Sequence, residues 1–403
     1  ATDTYNTGLG HNAGASVTTG IQNTLIGGLA GDFLSDADYN TAVGYGTLSS
    51  DALGSRSTAL GFYALIAQNF TTATDTYNVA VGHAAGASVS TGIQNTIVGG
   101  LAGDALTDAD FNLAVGYAAL TSDTLGSSST AIGYNALTFQ NFTTATDSYN
   151  TAVGFDAGQR VSTGIRNTLI GAQAGDALTD ADYNVAVGVA ALTNDTLGSQ
   201  STALGYGALS TQNFTTATNS LNTAVGYLAG EFLTTAEQTT LVGALSGDAL
   251  TTGGSNAALG YGSLSTATIN TANTAVGALS LVTMNNTTTA ATFNTAVGYQ
   301  SAASVSTGIN NTIIGAQAGS TVDSGDSNCF FGKDAGDSTT SGDKNICIGQ
   351  NANNSAATGS HAIVIGHDIS GSGNDFSFGK ASNIVSNTFD ANANWSRSSD
   401  QRL

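Results

Sequence analysis

The sequence predicts an all-β fold: a repetitive parallel β-roll or β-helix, a solenoid with coils of about 17 residues, assembled as a homotrimeric rod. Three observations predict it. A five-residue motif, N-T-A-V-G in its fullest form, recurs from one end of the chain to the other. Its spacing is too short for a pair of helices. The residue before each motif glycine is apolar and the one two before it usually is, and in a strand they point to opposite faces.

The repeat is nested. ATDTYN at residue 1 returns at 73, as ATDSYN at 145 and as ATNSLN at 217, a period of 72 residues. Within the first period the motif glycines are Gly10, Gly27, Gly44 and Gly61, and Gly82 opens the next, so three steps of 17 are followed by one of 21. The series runs on to Gly349, Gly366 and Gly379, which gives 22 motifs. These divide residues 1–379 into super-repeats 6–77, 78–149, 150–221 and 222–293, with 294–379 as the last stretch and 380–403 as a C-terminal junction.

Each motif position has its own logic. The residue directly before the glycine is Val, Ile, Leu or Phe in all 22 motifs, as at Leu9, Ile26, Val43, Leu60, Phe331 and Phe378. The residue two before is smaller, as at Ala42, Ala59 and Ala80, with Leu25, Ile97, Leu169, Leu241 and Ile313 once per unit. A lone solenoid buries only its inside, so a second apolar face calls for a second copy of the chain, and a trimer around a symmetry axis satisfies it. The glycine reads as a corner of unusual φ or close backbone approach. Asn opens 16 of the 22 motifs, including Asn23, Asn40 and Asn95, where stacked side chains can hydrogen-bond along the coil axis. At about 4.8 Å per strand such a stack is on the order of 100 Å long.

Composition removes other classes. No Pro, 52 Gly and only 9% charged residues describe one unit used many times, while 41% hydrophobic residues exclude disorder. A net charge of −20 from 28 acidic and 8 basic residues excludes nucleic acid and anionic membranes as partners. No apolar run of about 18 residues is present to span a bilayer, and the first residues lack the basic start and apolar run of a signal peptide.

The pattern N-T-A-V-G-Y, as in Asn40–Leu48, resembles the trimeric β-roll heads of YadA-like autotransporter adhesins, and it is similar to coil repeats in phage tail fibres. After Gly379 the coil pattern stops, and Trp395-Ser396-Arg397-Ser398-Ser399-Asp400-Gln401-Arg402 resembles the start of an endosialidase-type intramolecular chaperone, which trimerises a fibre and then cuts itself off. Ser399, Asp400 and Arg402 match its Ser-Asp-x-Arg motif; the family's lysine would fall at position 404. The resemblance implies a receptor-binding shaft of a phage tail fibre in the virion, with a host surface glycan or protein and other tail proteins as partners. It implies cleavage before Ser399 in a longer precursor. A bacterial surface adhesin is the alternative, and an ice-binding solenoid a third.

The remaining candidates follow from residue types. The lengthened coils, carrying Gln68, Asn69 and Phe70, then Gln140, Asn141 and Phe142, then Gln212, Asn213 and Phe214, are expected to bulge outward as receptor-binding loops. His11 and His83 occupy places where other coils have Tyr45 or Phe155, which indicates packing. His361 and His367 are candidates for three-fold metal rings but have no carboxylate or Cys partner by spacing, so no metal and no cofactor is expected. Acidic turns at Asp32, Asp36 and Asp38 recur at Asp104, Asp108, Asp110 and at Asp176, Asp180, Asp182; solvated corners are preferred there over Ca²⁺ sites. None pairs with a recurring Lys or His, so no acid–base catalysis is expected. The Thr column at Thr24, Thr41, Thr58 and Thr96 is read against ice binding, because the residue two after Thr is taken as the apolar core position. Cys329 and Cys347 sit on opposite faces of neighbouring coils and are expected to be free thiols.

Overall fold

In a computed structural model of the protein, residues 3–287 and 291–389 are described, with the backbone alone of 396–397. Ser399, Asp400 and Arg402 lie outside the described residues. The chain divides into two compact units, Ala1–Ser201 with Asn213–Thr218, and Thr202–Gln212 with Asn219–Leu403. Each is a parallel β-solenoid. Together they hold about 22 turns at about 17-residue spacing, with no helix among the described residues.

In the first unit, three-residue strands such as Thr24–Ile26, Thr41–Val43 and Thr58–Leu60 pair parallel in chain order. In the second, Thr223–Val225, Thr240–Val242 and Ala257–Leu259 do the same. Thr, Val and Ile favour the pleated conformation because two heavy atoms on Cβ restrict χ1. The register sets like against like: Thr41 on Thr58, Ala42 on Ala59, Val43 on Leu60. Sequence columns are therefore spatial columns. The strands are short because each ends at a motif glycine that turns the chain at a φ near +138°, as at Gly44. A Cβ there would lie 2.4 Å from the carbonyl oxygen of Gly61 in the next coil, so both grounds for glycine, φ and close approach, apply.

The core is the column two before the glycine. Leu25, Ala42, Ala59, Ala80 and Ile97 are buried, joined by Ala30, Leu34, Leu48 and Leu65 from the turns. The interior is narrow, so bulk in one column is matched by its absence in another. Phe330 replaces the usual small residue, and Gly336 faces it where a Cβ would come within 2.2 Å of the ring. Each fully buried Leu contributes about 1.5–3 kcal/mol.

The motif asparagines form the predicted ladder. Asn23 Oδ1 accepts from the Asn40 amide at 2.9 Å, Asn40 Oδ1 from the Ser57 amide at 2.8 Å, and Asn40 Nδ2 donates to the Gly54 carbonyl at 2.9 Å. These side chains are buried and replace the backbone bonds that the tight turn cannot make.

At the end of the second unit the parallel rule stops. Asp375–Lys380 pairs parallel with Ile363–His367 on one side and antiparallel with Asn383–Thr388 on the other, and Ser396–Arg397 pairs antiparallel with that strand. The reversal covers a sheet edge that would otherwise template another strand.

Candidate functional site

The expectation that the lengthened coils bulge outward holds for only part of them. Gln68 and Phe70 are buried, as are Gln140 and Phe142, and Gln212 and Phe214; Asn69, Asn141 and Asn213 are exposed. Gln68, Gln140 and Gln212 stand seven residues after a motif glycine, in the column that Leu34 and Leu106 fill in ordinary coils, and the coils they belong to have lost the ladder asparagine. At that place stand Ser57 and Ser129. Gln68 fills the gap: Nε2 donates to Asp51 Oδ2 at 2.5 Å and to Ser57 Oγ at 2.9 Å, while Oε1 accepts from Asn78 Nδ2 at 2.9 Å. Gln140 repeats this with Asp123, Ser129 and Asn150. In the third repeat the Phe214 amide donates to Asp195 at 3.0 Å, and Asn222 Nδ2 to Gln212 Oε1 at 2.9 Å. Asn69, the tip Thr71–Ala73 and Asp75 remain outside. The sequence signal was available, since Ser replaces Asn only where the next step is lengthened.

The exposed surface of interest is the outer face of the sheet. The column directly before the glycine points outward: Leu60 is 44% exposed in the first unit, and Leu259 48% and Phe331 56% in the second. Thr24, Thr41 and Thr58 share this face, because residues two apart in a strand do. This overturns the sequence reading of the residue two after Thr as core; the core residue is the one directly after it. A third outward column follows the glycine, and its rings stack. Tyr45, Phe62 and His83 lie 5.8 and 5.5 Å apart, nearly parallel; Tyr117, Tyr134 and Phe155 lie 5.5 and 5.4 Å apart. Tyr206 and Tyr227 repeat the stack in the second unit at 5.5 Å. His83 is thus a packing residue, as its place in the column predicted. The face presents Thr hydroxyls, aliphatic side chains and aromatic edges in parallel rows.

Comparison with protein families and with curated proteins found no match. The geometry of the outer face is therefore what any functional reading must rest on.

His367 ends the Ile363–His367 strand, and His361 lies two residues before its start. His367 has a carboxylate partner that spacing did not reveal, Asp368, with Nδ1 and Oδ2 2.9 Å apart. The acidic turns bridge neighbouring coils one carboxylate at a time. Asp38 accepts from the Ile21 amide at 2.8 Å, Asp110 from Ile93 at 2.7 Å and Asp182 from Ile165 at 2.8 Å. Asp36, Asp108 and Asp180 accept from Thr19, Thr91 and Thr163. No group of three or more His, Cys, Asp or Glu side chains converges as a metal site among the described residues. Asp176 accepts from Thr193 of the next coil at 2.5 Å, and Asp104 from Thr121. Where that residue is Ser49 or Ser265, the carboxylates of Asp32 and Asp248 each keep a buried oxygen without a partner. Burial pushes the pKa of both upward.

Cys329 and Cys347 are free thiols on opposite faces of neighbouring strands, Cys329 opposite Ile346 and Cys347 opposite Phe330. Burial pushes Cys347 up to about 12, which leaves it a core side chain with negligible thiolate. No helix among the described residues is long and apolar enough to cross a membrane.

Proposed function

We propose that the chain is a structural and receptor-binding shaft of a phage tail fibre, a homotrimer in which the outer sheet face of each copy is covered by the other two. One observation carries the reading: in each unit a row of Val, Ile, Leu and Phe side chains lies partly exposed along a sheet face whose other side is already the core. Contiguous apolar rows of this extent mark an association surface, and a stack with one strand direction and one repeated patch is suited to closed rotational symmetry. The resemblance at Ser399, Asp400 and Arg402 supports the assignment to a fibre. Static light scattering tests it. The expected mass is three times that of the 39.9 kDa chain, and a single-chain mass removes the trimer and the shaft reading together.

A second reading has its own observation. Thr and aliphatic side chains share one outward face in rows at the strand spacing of about 4.8 Å, a regular array of hydroxyls and methyls suited to an ordered partner such as ice. It needs that face free, so it belongs to a monomer. Thermal hysteresis in a monomeric sample supports ice binding, and its absence in a trimeric one disposes of it.

A further inference from the structure

The residue before each motif Asn, or before the Ser that replaces it, also points outward, and in the first unit this column is filled by Tyr, Gln, Arg and Phe side chains with one short residue, Ser128. Arg56 lies 4.7 Å from the Tyr39 ring and 5.8 Å from that of Tyr77, and Arg166 lies 5.8 Å from Tyr149 and 5.4 Å from Tyr183. In the second unit two consecutive coils lack a long side chain there. Gln238 is followed by Ser255 and Ala272 before Phe293 restores a ring. The adjacent column is thinned at the same coil, where Gly254 stands between Glu237 and Thr271. A Cβ on Gly254 would lie 2.7 Å from the Glu237 carbonyl oxygen, so the floor of this gap stays bare. Two missing side chains at the strand spacing open a slot about 10 Å wide.

The slot is a groove of about 390 Å³, within the range of small-ligand sites. Its lining is particular. Phe293 is 57% exposed and forms one wall, and among the described residues no ring or cation lies against it, unlike Tyr39 or Tyr149. The rest of the rim is polar: the Glu237 carboxylate, the Gln238 amide, and the hydroxyls of Thr235, Thr252 and Ser255. A free aromatic face attracts weakly positive C–H groups through its quadrupole, and the rim supplies donors and acceptors for hydroxyl groups. Among the described residues of the lining the one charged side chain, Glu237, is acidic, which disfavours anions. A single ring gives no cage for an ammonium group.

From this we infer that the groove between Gln238 and Phe293 binds a neutral pyranose, with the sugar's C–H face on Phe293 and its hydroxyls on Glu237, Gln238 and the threonines. The inference rests on the receptor-binding reading and gives it a place and a ligand class. Affinity for a single ring is weak, on the order of millimolar.

The test is saturation-transfer NMR on the intact protein with neutral hexoses, N-acetylhexosamines and their short oligomers, and with choline as a cationic control. Ala272→Gln refills the slot with the residue other coils carry there, at a backbone φ of 62° where Gln22 and Gln94 hold 57° and 56°. It is expected to reduce sugar binding by at least about tenfold with the melting midpoint unchanged, and Phe293→Ala is expected to do the same. Absence of transfer from every sugar overturns the proposal, as does transfer from choline alone or transfer undiminished in Ala272→Gln. Light scattering separates the outcomes. A trimer that binds no sugar loses the groove and keeps the shaft, and a monomer that binds sugar loses the shaft and keeps the groove.

Discussion

Asp123 accepts three hydrogen bonds beneath the surface, from the Gly126 and Phe142 amides at 3.1 Å each and from Gln140 Nε2 at 2.6 Å. These bonds favour its ionised form, yet burial is the larger effect and pushes its pKa up. Asp32, Asp110, Asp176 and Asp248 move the same way, again chiefly through burial. A carboxylate whose folded pKa lies above its unfolded one binds its proton more tightly when folded. Its stabilisation is complete below the unfolded value and is lost as pH rises through the folded value. With a net charge of −20, protonation also relieves self-repulsion. Urea denaturation midpoints are therefore expected to be higher near pH 4 than near pH 7, about the usual carboxylate range and above it. A midpoint that falls monotonically on acidification contradicts this assignment.

At the scale of the element, the lengthened coil is a unit in which one polar substitution requires another. Asp51 and Gln68 form a buried pair, as do Asp123 and Gln140. In the fourth super-repeat the same two places hold Ala267 and Met284, both fully buried, and the ladder asparagine returns as Asn273. One chain thus carries both solutions: a satisfied polar network, or an apolar pair of similar volume. Asp123→Ala alone leaves one N–H of Gln140 Nε2 and two backbone amides without an acceptor, and is expected to cost about 2–4 kcal/mol. Gln140→Met alone leaves a buried carboxylate without its side-chain donor and costs a similar amount. The double variant is expected to cost less than the two singles combined, by about 1 kcal/mol or more, in a denaturant double-mutant cycle. Additive costs would mean that the pair does not act as a unit.

At the scale of the molecule, the repeated register is both the source of stability and the difficulty in assembly. Columns of like residues, such as Val43 on Leu60 or Val297 on Ile314, make neighbouring coils nearly interchangeable. A slip of one coil between copies keeps most apolar surface covered and is hard to undo, which is why a device that fixes register before the copies close is expected of a fibre. If association covers the outer face, the thermal midpoint depends on protein concentration, because only the folded state binds its copies. Val153→Asp places a charge in the middle of the outward column, where Val153 pairs with Ile132 and Ile170. It is expected to abolish the concentration dependence and reduce the mass to one chain. A midpoint independent of concentration in the parent leaves the outer face free and favours the ice-binding reading.

The amino-acid sequence by itself determined the solenoid, its coil length, the Asn ladder, the glycine corner and the two apolar faces, because in-register stacking converts each sequence column directly into a spatial one. Only the tertiary structure decided which way the irregular parts turn. Gln68 and Phe70 read as an exposed loop until Ser57 is seen to leave a gap in the ladder that Gln68 fills. The residue after Thr, and not the one two after it, is core, because a strand of three residues shows no alternation long enough to tell its faces apart. The groove beside Phe293 needed both columns in view, since Gly254, Ser255 and Ala272 make a cavity only through what Gln238 and Phe293 place on either side of them.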